Sequence, residues 1–222
     1  MSYYFLVEGR RSERKLYPSW LSYIAPQYRR IEDPSEAEDN TYYLISAEGY
    51  PSIIGQHLQN AIADIENSGK FKCLIVVLDS EESSVDARRA EVFNAANKLD
   101  TPLKSATLEV VVQNRCIETW LLGNSRVVAR KPQGTELRDF IAFYDVVIND
   151  PELSPLRAGF ASYGQYYHSY LQAIFRERGL SYTKHNPGHA KDEAYLSQLK
   201  SRAELGHIKS FGQFLQLCSK LF

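Results

Sequence analysis

The sequence predicts an α/β protein: a mainly parallel sheet flanked by helices, with a mostly helical C-terminal half. Three observations carry that reading. First, Tyr3-Tyr4-Phe5-Leu6-Val7 and Cys73-Leu74-Ile75-Val76-Val77-Leu78 are apolar throughout and end abruptly on polar residues. Short runs of this kind are strands buried on both faces. Second, stretches with an apolar residue every three or four positions lie between the strand-like runs, and strands alternating with helices build parallel sheets. Third, helical patterns continue from about Thr135 to the end with no strong strand among them.

The elements follow in order. After the first strand, Leu16, Trp20 and Ile24 form one stripe of a helix over 12–24, where Pro18 predicts a late start or a kink. The acidic segment Ile31 to Asn40 reads as a solvated loop. A weaker strand, 42–46, precedes a helix over 51–67 with Ile54, Leu58, Ile62 and Ile65 on one face and Gly69 as its C-terminal cap. Beyond the 73–78 strand, Ser83-Ser84-Val85-Asp86 reads as a capping box opening a helix to about Leu99, with Val85, Val92, Ala96 and Leu99 facing inward. Residues 107–112 form a further strand and 116–122 a short helix. Helices are then predicted over 137–147, 163–178, 191–203 and 210–221. The organisation predicted is an α/β domain over 1–125 and a helical region over 126–222 packed on the same core.

A chain of 222 residues can bury a real core. With 26 basic and 27 acidic residues it is not a globally basic nucleic-acid coat, although a local patch remains open. Its three cysteines, Cys73, Cys116 and Cys218, are far apart, which argues against a disulfide framework or a zinc site. The first residues do not read as a signal peptide, and no apolar stretch is long enough for a bilayer. A reducing, cytoplasmic setting and no membrane partner are expected.

The chemistry is sought at the strand ends, because open α/β sheets bind ligands outside the C-terminal ends of their strands. Val7 hands over to Glu8, and Leu78 hands over to Asp79 and Glu81. Neighbouring strands lie about 4.8 Å apart, so these acids converge if their strands are close. Converging carboxylates repel one another, and a hard cation such as Mg²⁺ relieves that repulsion. The plain alternative is that an acid ends a strand because the chain re-enters water. Glu13 lies at the start of a helix, where an acid also complements the dipole. Glu118 lies among Cys116, Ile117, Trp120 and Leu121, where an acid must be paired or functional. Arg10, Arg11, Arg14 and Lys15 follow Glu8-Gly9 at a helix start, a poor place for cations unless they meet phosphate. Ion pairs with the acids of 32–39 would also explain them.

Other patterns say less. Tyr163, Tyr166, Tyr167 and Tyr170 are spaced as one packed helix face rather than a base-stacking platform. His185 and His189 flank Pro187-Gly188 and do not read as a zinc pair. Cys116 reads as structural. No phosphate-binding P-loop is present, so ATP hydrolysis by this chain is not expected.

The wording of these motifs resembles the TOPRIM fold. Val7-Glu8-Gly9-Arg10-Arg11-Ser12-Glu13, with Leu16-Tyr17 after it, resembles the EG-x-x-(T/S)-E opening of RloB-like and OLD-like TOPRIM proteins. Asn114-Arg115-Cys116-Ile117-Glu118-Thr119-Trp120-Leu121-Leu122 resembles their NPxFExWLL block, with Arg115 in place of proline. Tyr182-Thr183-Lys184 resembles their Y-x-K element. The family has Asp-x-Asp where this chain has Asp79-Ser80-Glu81. The likeness covers about 1–125 and, more thinly, 180–222.

The resemblance implies a Rossmann-like TOPRIM sheet and a two-metal nuclease using Mg²⁺ or Mn²⁺. Glu8, Asp79 and Glu81 would hold one metal. Glu13 and Glu118 would hold or orient a second, with Lys184 nearby and Lys191 competing for that role. Arg10, Arg11, Arg14 and Lys15 would bind phosphate. DNA or RNA is the implied substrate, an ABC- or AAA-type ATPase the implied partner, bacteriophage defence the implied setting, and a homodimer is possible. A TOPRIM-shaped binding or regulatory subunit is the rival reading. A receiver-like or dehalogenase-like phosphotransfer domain with Asp79 as acceptor is a third, but the carboxylate pattern it needs near Glu8 is absent.

Overall fold

The computed structural model describes residues 1–222. The fold is α/β, with one five-stranded parallel sheet flanked by helices. In chain order the elements are β1 (Ser2–Val7), α1 (Glu13–Ile24), β2 (Arg29–Ile31), β3 (Thr41–Ser46), α2 (Gln56–Ser68), β4 (Phe71–Asp79), α3 (Val85–Asn97) and β5 (Thr107–Gln113). Five helices follow: α4 (Ile117–Leu121), α5 (Thr135–Phe143), α6 (Tyr163–Glu177), α7 (Glu193–Glu204) and α8 (Lys209–Leu221).

The sheet order is β2-β3-β1-β4-β5. Strand β1 is central, paired parallel to β3 and to β4, with Val7 opposite Ser46 and Val77. All six of its residues are buried, which is why its sequence is apolar without alternation. From β1 the chain goes to β2 on one side; from β4 it goes to β5 on the other. The winding direction therefore changes between β1 and β4.

The chain divides into two compact units, Met1–Leu78 with Ser84–Val112, and Asp79–Ser83 with Gln113–Phe222. Residues 113–125 thus group with the helical region. In the first unit, Tyr4, Leu6, Leu74, Val76 and Leu78 form one core with Leu58, Ile62 and Ile65 of α2 and Val92 of α3. Leu16, Tyr17 and Trp20 of α1 are fully buried, and α1 packs on β3.

In the second unit, Trp120 of α4 meets Phe211 and Phe214 of α8, with ring centroids 5.1 and 5.8 Å away. Its indole N–H donates to Ser210 Oγ at 2.6 Å. Tyr166, Tyr167 and Tyr170 are fully buried along α6, so the tyrosine spacing is a packed face, as expected. No helix is long and apolar enough to cross a membrane.

Four local readings change. The helix starts early, at Glu13, and continues through Pro18. Pro18 lacks an N–H, but burial of Leu16, Tyr17, Trp20 and Leu21 outweighs that single bond. The second helix begins at Gln56, after a 3₁₀ turn at Ser52–Ile54. The cap of α3 is Ser84, whose Oγ accepts the Ala87 N–H at 3.1 Å, one residue later than the box at Ser83 implies. Strand β2 was not legible, since three residues, Arg29-Arg30-Ile31, show no period; Ile31 is buried at the head of the acidic segment.

Candidate carboxylate site

In the first unit, Glu8 directly follows β1 and is only 7% exposed. Its N–H donates to Val77 O at 3.0 Å, its carbonyl accepts the Gly49 N–H at 3.0 Å, and its Oε1 accepts the Tyr50 N–H at 3.2 Å. The turn after β3 therefore fixes the Glu8 side chain. The same turn is held from another direction: the Arg88 guanidinium lies 3.7 Å from the centroid of the Tyr50 ring. Glu13 is buried and is the first residue of α1. Its carboxylate accepts the Gly9 N–H. A Cβ at residue 9 would run into that carboxylate, so glycine permits the close approach.

Arg10, Arg11, Arg14 and Lys15 are all exposed. Arg10 pairs with Glu48. The acids of the 32–39 segment pair elsewhere: Asp39 with the Met1 amino group, Glu38 with Arg29 at 2.7 Å, and Glu32 with Arg30 at 3.6 Å. Ion pairing with that segment therefore does not account for the Arg10 side.

In the second unit, Asp79 is the last residue of β4 and is half-buried, whereas Glu81 is exposed. Backbone and side chain tie this loop to the end of β5. The Ser80 N–H donates to Gln113 O and the Glu81 N–H to Arg115 O, both at 2.9 Å. The Arg115 N–H donates to Ser80 Oγ at 2.8 Å, and Arg115 Nη1 donates to Glu81 O at 2.9 Å. Both Glu81 (φ 50°) and Arg115 (φ 73°) are left-handed. A proline ring holds φ near −65°, so proline could not sit at 115 in this loop. The left-handed backbone itself therefore excludes proline at this position. The Arg115 guanidinium stacks on Tyr163, 3.9 Å from its centroid, while Glu82 accepts the Tyr163 N–H at 3.0 Å at the start of α6.

Glu118 is the most constrained acid of the set. It lies in α4 with no exposed surface. Its Oε1 lies 3.2 Å from Nδ1 of His168 on α6 and accepts the Tyr182 hydroxyl at 3.1 Å. Its Oε2 is buried and has no hydrogen-bond partner. Burial alone would raise this carboxyl. The His168 hydrogen bond and the nearby positive charge of Lys184 outweigh it, and Glu118 is held below its ordinary pKa. The Tyr182 hydroxyl is pushed well up by burial and by the Glu118 charge. Burial also drives the Cys116 thiol far up, and the charges of Glu118 and Asp79 add to it, so both acids bear on one buried sulfur.

The second unit therefore gathers Glu118, His168, Tyr182 and Lys184, with Asp79 acting on the same interior. Lys184 is exposed yet its charge reaches Glu118; Lys191, half-buried in the turn Gly188–Lys191, shows no such tie. His168 was missed by sequence because it stands amid tyrosines that pack as core. The available signal was a lone histidine in that otherwise aromatic face. His189 bonds to Asp192 at 2.8 Å, away from any zinc pairing with His185. Nowhere do three or more His, Cys, Asp or Glu side chains form a group that could hold a metal ion by themselves.

No family model matches the chain, and no curated protein or solved structure is significantly similar to it.

Proposed function

We propose that this chain is a divalent-metal-dependent nuclease of the TOPRIM kind that hydrolyses nucleic-acid phosphodiesters. The observation that carries the reading is Glu118: fully buried, held ionised, fixed through one oxygen by His168 and Tyr182, and left with the other oxygen unbonded. A buried anionic oxygen without a donor is costly unless a cation or substrate proton meets it. The donor chemistry suits Mg²⁺ or Mn²⁺, because such ions take a few carboxylate oxygens and complete their shell with water and substrate phosphate. A closed protein cage of three acids is not required for that.

Support also comes from strand order. Ligands of open α/β sheets bind where the winding reverses. Here the reversal is between β1, which ends at Val7 just before Glu8, and β4, which ends at Asp79. In this reading Asp79 and Glu81 serve one metal and Glu118 a second. Glu13 already spends an oxygen on Gly9 and acts by orienting the turn after Glu8. When bound, the metal supplies Lewis acidity toward a phosphoryl oxygen and a more acidic water.

The chain's own side chains do the rest. His168 and Tyr182 orient Glu118. Lys184 offsets phosphate charge at the mouth of the Glu118 cluster. Arg11, Arg14 and Lys15 grip the polyanion with exposed cations. The substrate is DNA or RNA, and the role is an effector of bacteriophage defence in the cytoplasm, working with an ATPase partner.

The test is a cleavage assay on plasmid, single-stranded DNA and tRNA with Mg²⁺, Mn²⁺ or EDTA, comparing wild type with Asp79→Asn and Glu118→Gln. Cleavage that needs the metal and is lost in both folded variants is the expected result. Cleavage that persists in EDTA or in both variants overturns the reading. A second reading, a TOPRIM-shaped binding or regulatory subunit, is favoured by Glu81, which replaces the family aspartate, is exposed, and sits on left-handed backbone. Partner binding that survives Glu8→Gln and Asp79→Asn, with no cleavage by wild type, decides for it.

A further inference from the structure

The second unit carries a groove of about 1250 Å³ between the loop 125–132, helix α5 and the segment 145–148. Its charged lining is one-sided: Arg126, Arg130, Arg138 and Arg178 against the single acid Asp145. Arg178 is committed to the wall itself. Its guanidinium donates to the carbonyls of Val127 at 2.9 Å, Val128 at 3.1 Å and Arg126 at 3.3 Å. Asp145 is likewise committed, its carboxylate accepting the Val147 N–H at 2.8 Å. Arg126, Arg130 and Arg138 are exposed, and none of them is in an ion pair.

The remaining surface is aliphatic. Val128, Ile141, Val147 and Ile148 contribute to it, and no aromatic side chain lines the groove. Ile148 is 71% exposed, an unusual state for a large aliphatic residue bordered by cations. Exposed apolar surface rimmed by charge marks a site of protein association. Single-stranded nucleic acid is recognised on aromatic platforms, which this groove lacks. Three guanidiniums outside any ion pair, of which Arg138 also feels the Glu177 charge, surround an aliphatic strip and complement an amphipathic segment that is acidic on one side and apolar on the other.

We propose that this groove docks an acidic, amphipathic helical segment of a partner protein, its apolar residues seated on Ile141 and Ile148 and its carboxylates on Arg126, Arg130 and Arg138. The proposal stands apart from the carboxylate site. Arg178 caps the end of α6, ten residues beyond His168, which is roughly 15 Å of helix.

The probe is a fluorescein-labelled helical peptide of about 16 residues, with leucines at i, i+3, i+4 and i+7 and glutamates elsewhere. Its anisotropy is titrated with the full chain at low salt. Saturable binding that weakens with added salt is expected. Arg130→Glu with Arg138→Glu should weaken it by about fivefold per reversed arginine, and should create binding to the same peptide with lysine in place of glutamate. Ile148→Asp should also weaken it. These three side chains are exposed, so circular dichroism should be unchanged.

Absence of saturable binding overturns the proposal, as does binding indifferent to all three substitutions. Preferential binding of a 12-nucleotide oligothymidylate that the arginine reversals abolish makes the groove a nucleic-acid tract and also overturns it. Self-association in sedimentation that Ile148→Asp abolishes and the peptide does not compete with assigns the groove to a second copy of the chain instead.

Discussion

His168 Nδ1 lies 3.2 Å from Glu118 Oε1, and the Tyr182 hydroxyl donates to the same oxygen from 3.1 Å. The pairing fixes a carboxylate that has no exposed surface and leaves its second oxygen open. His168→Ala should therefore cost about 2 kcal/mol of stability, measured by urea unfolding, because it strips a partner from a buried charge. His168→Gln, which keeps a donor in reach, should recover part of that loss. Equal losses in both would mean that the ring is only filler.

The same pair predicts a pH dependence. Glu118 is held below its ordinary pKa against the opposing effect of burial, chiefly by His168 and Lys184. A carboxyl depressed in the folded state adds stability above its unfolded value, near 4.3, and that stability is lost as pH falls through the folded value. The stability difference between wild type and Glu118→Gln should be flat from neutral pH to about 5 and shrink below about 4. A difference that persists unchanged to about pH 3 would show that the fold does not depress the Glu118 carboxyl, and a difference that changes between about pH 5 and neutral would show that the fold raises it.

Under the proposed nuclease reading, cleavage should respond more strongly to the acids than to the lysines. In that reading Glu118→Gln and Asp79→Asn should each lower the metal-dependent rate roughly a hundredfold or more, since each would remove charge from the proposed metal site. Lys184→Ala should lower it less and raise KM, because an exposed cation mainly binds phosphate. Lys191→Ala should leave the rate unchanged. Equal sensitivity to Lys184 and Lys191 would remove the argument that the Lys184 charge reaches Glu118.

Much of this was legible in the sequence, and the failures share a cause. The unbroken apolar runs at 3–7 and 73–78 could only be strands covered on both sides, and the acids after them could only stand at strand ends. Glu118 was legible because an acid amid Ile117 and Trp120 has to be explained. His168 was not, because its partner lies fifty residues away and a histidine beside three tyrosines has the pattern of packing. The edge strand Arg29–Ile31 is too short to show a period. The role of Glu13 on Gly9 depends on a turn whose shape no spacing encodes.

Residue 115 gives a test of the loop that carries Asp79 and Glu81. Arg115 has φ 73° and its N–H donates to Ser80 Oγ. Placing proline at this position should be severely destabilising, by about 3 kcal/mol or more, since the ring forbids the angle and removes the donor. Arg115→Gly should stay within about 1 kcal/mol of wild type, because the relief of left-handed strain offsets the lost stacking on Tyr163. A folded, stable Arg115→Pro chain would mean that the loop adopts another path in solution.

Ser210 should be the most sensitive small side chain in the helical unit. Its Oγ accepts from Trp120 Nε1 at 2.6 Å and from the Asn114 N–H at 3.1 Å, and it donates to the buried Glu152. Glu152 in turn accepts the Ser210 N–H at 3.1 Å, so one residue joins α4, the end of β5 and the start of α8. Ser210→Ala removes only an oxygen, but it orphans a buried indole N–H and a backbone N–H and takes a donor from a carboxyl that burial already pushes up. Leaving such groups unsatisfied costs about 1–3 kcal/mol each, so the loss should reach roughly 3 kcal/mol in urea unfolding. Ser210→Cys, whose sulfur is a weak acceptor and donor, should recover little of it. A cost below about 1 kcal/mol for Ser210→Ala would show that water or a neighbouring side chain can enter and take over these bonds.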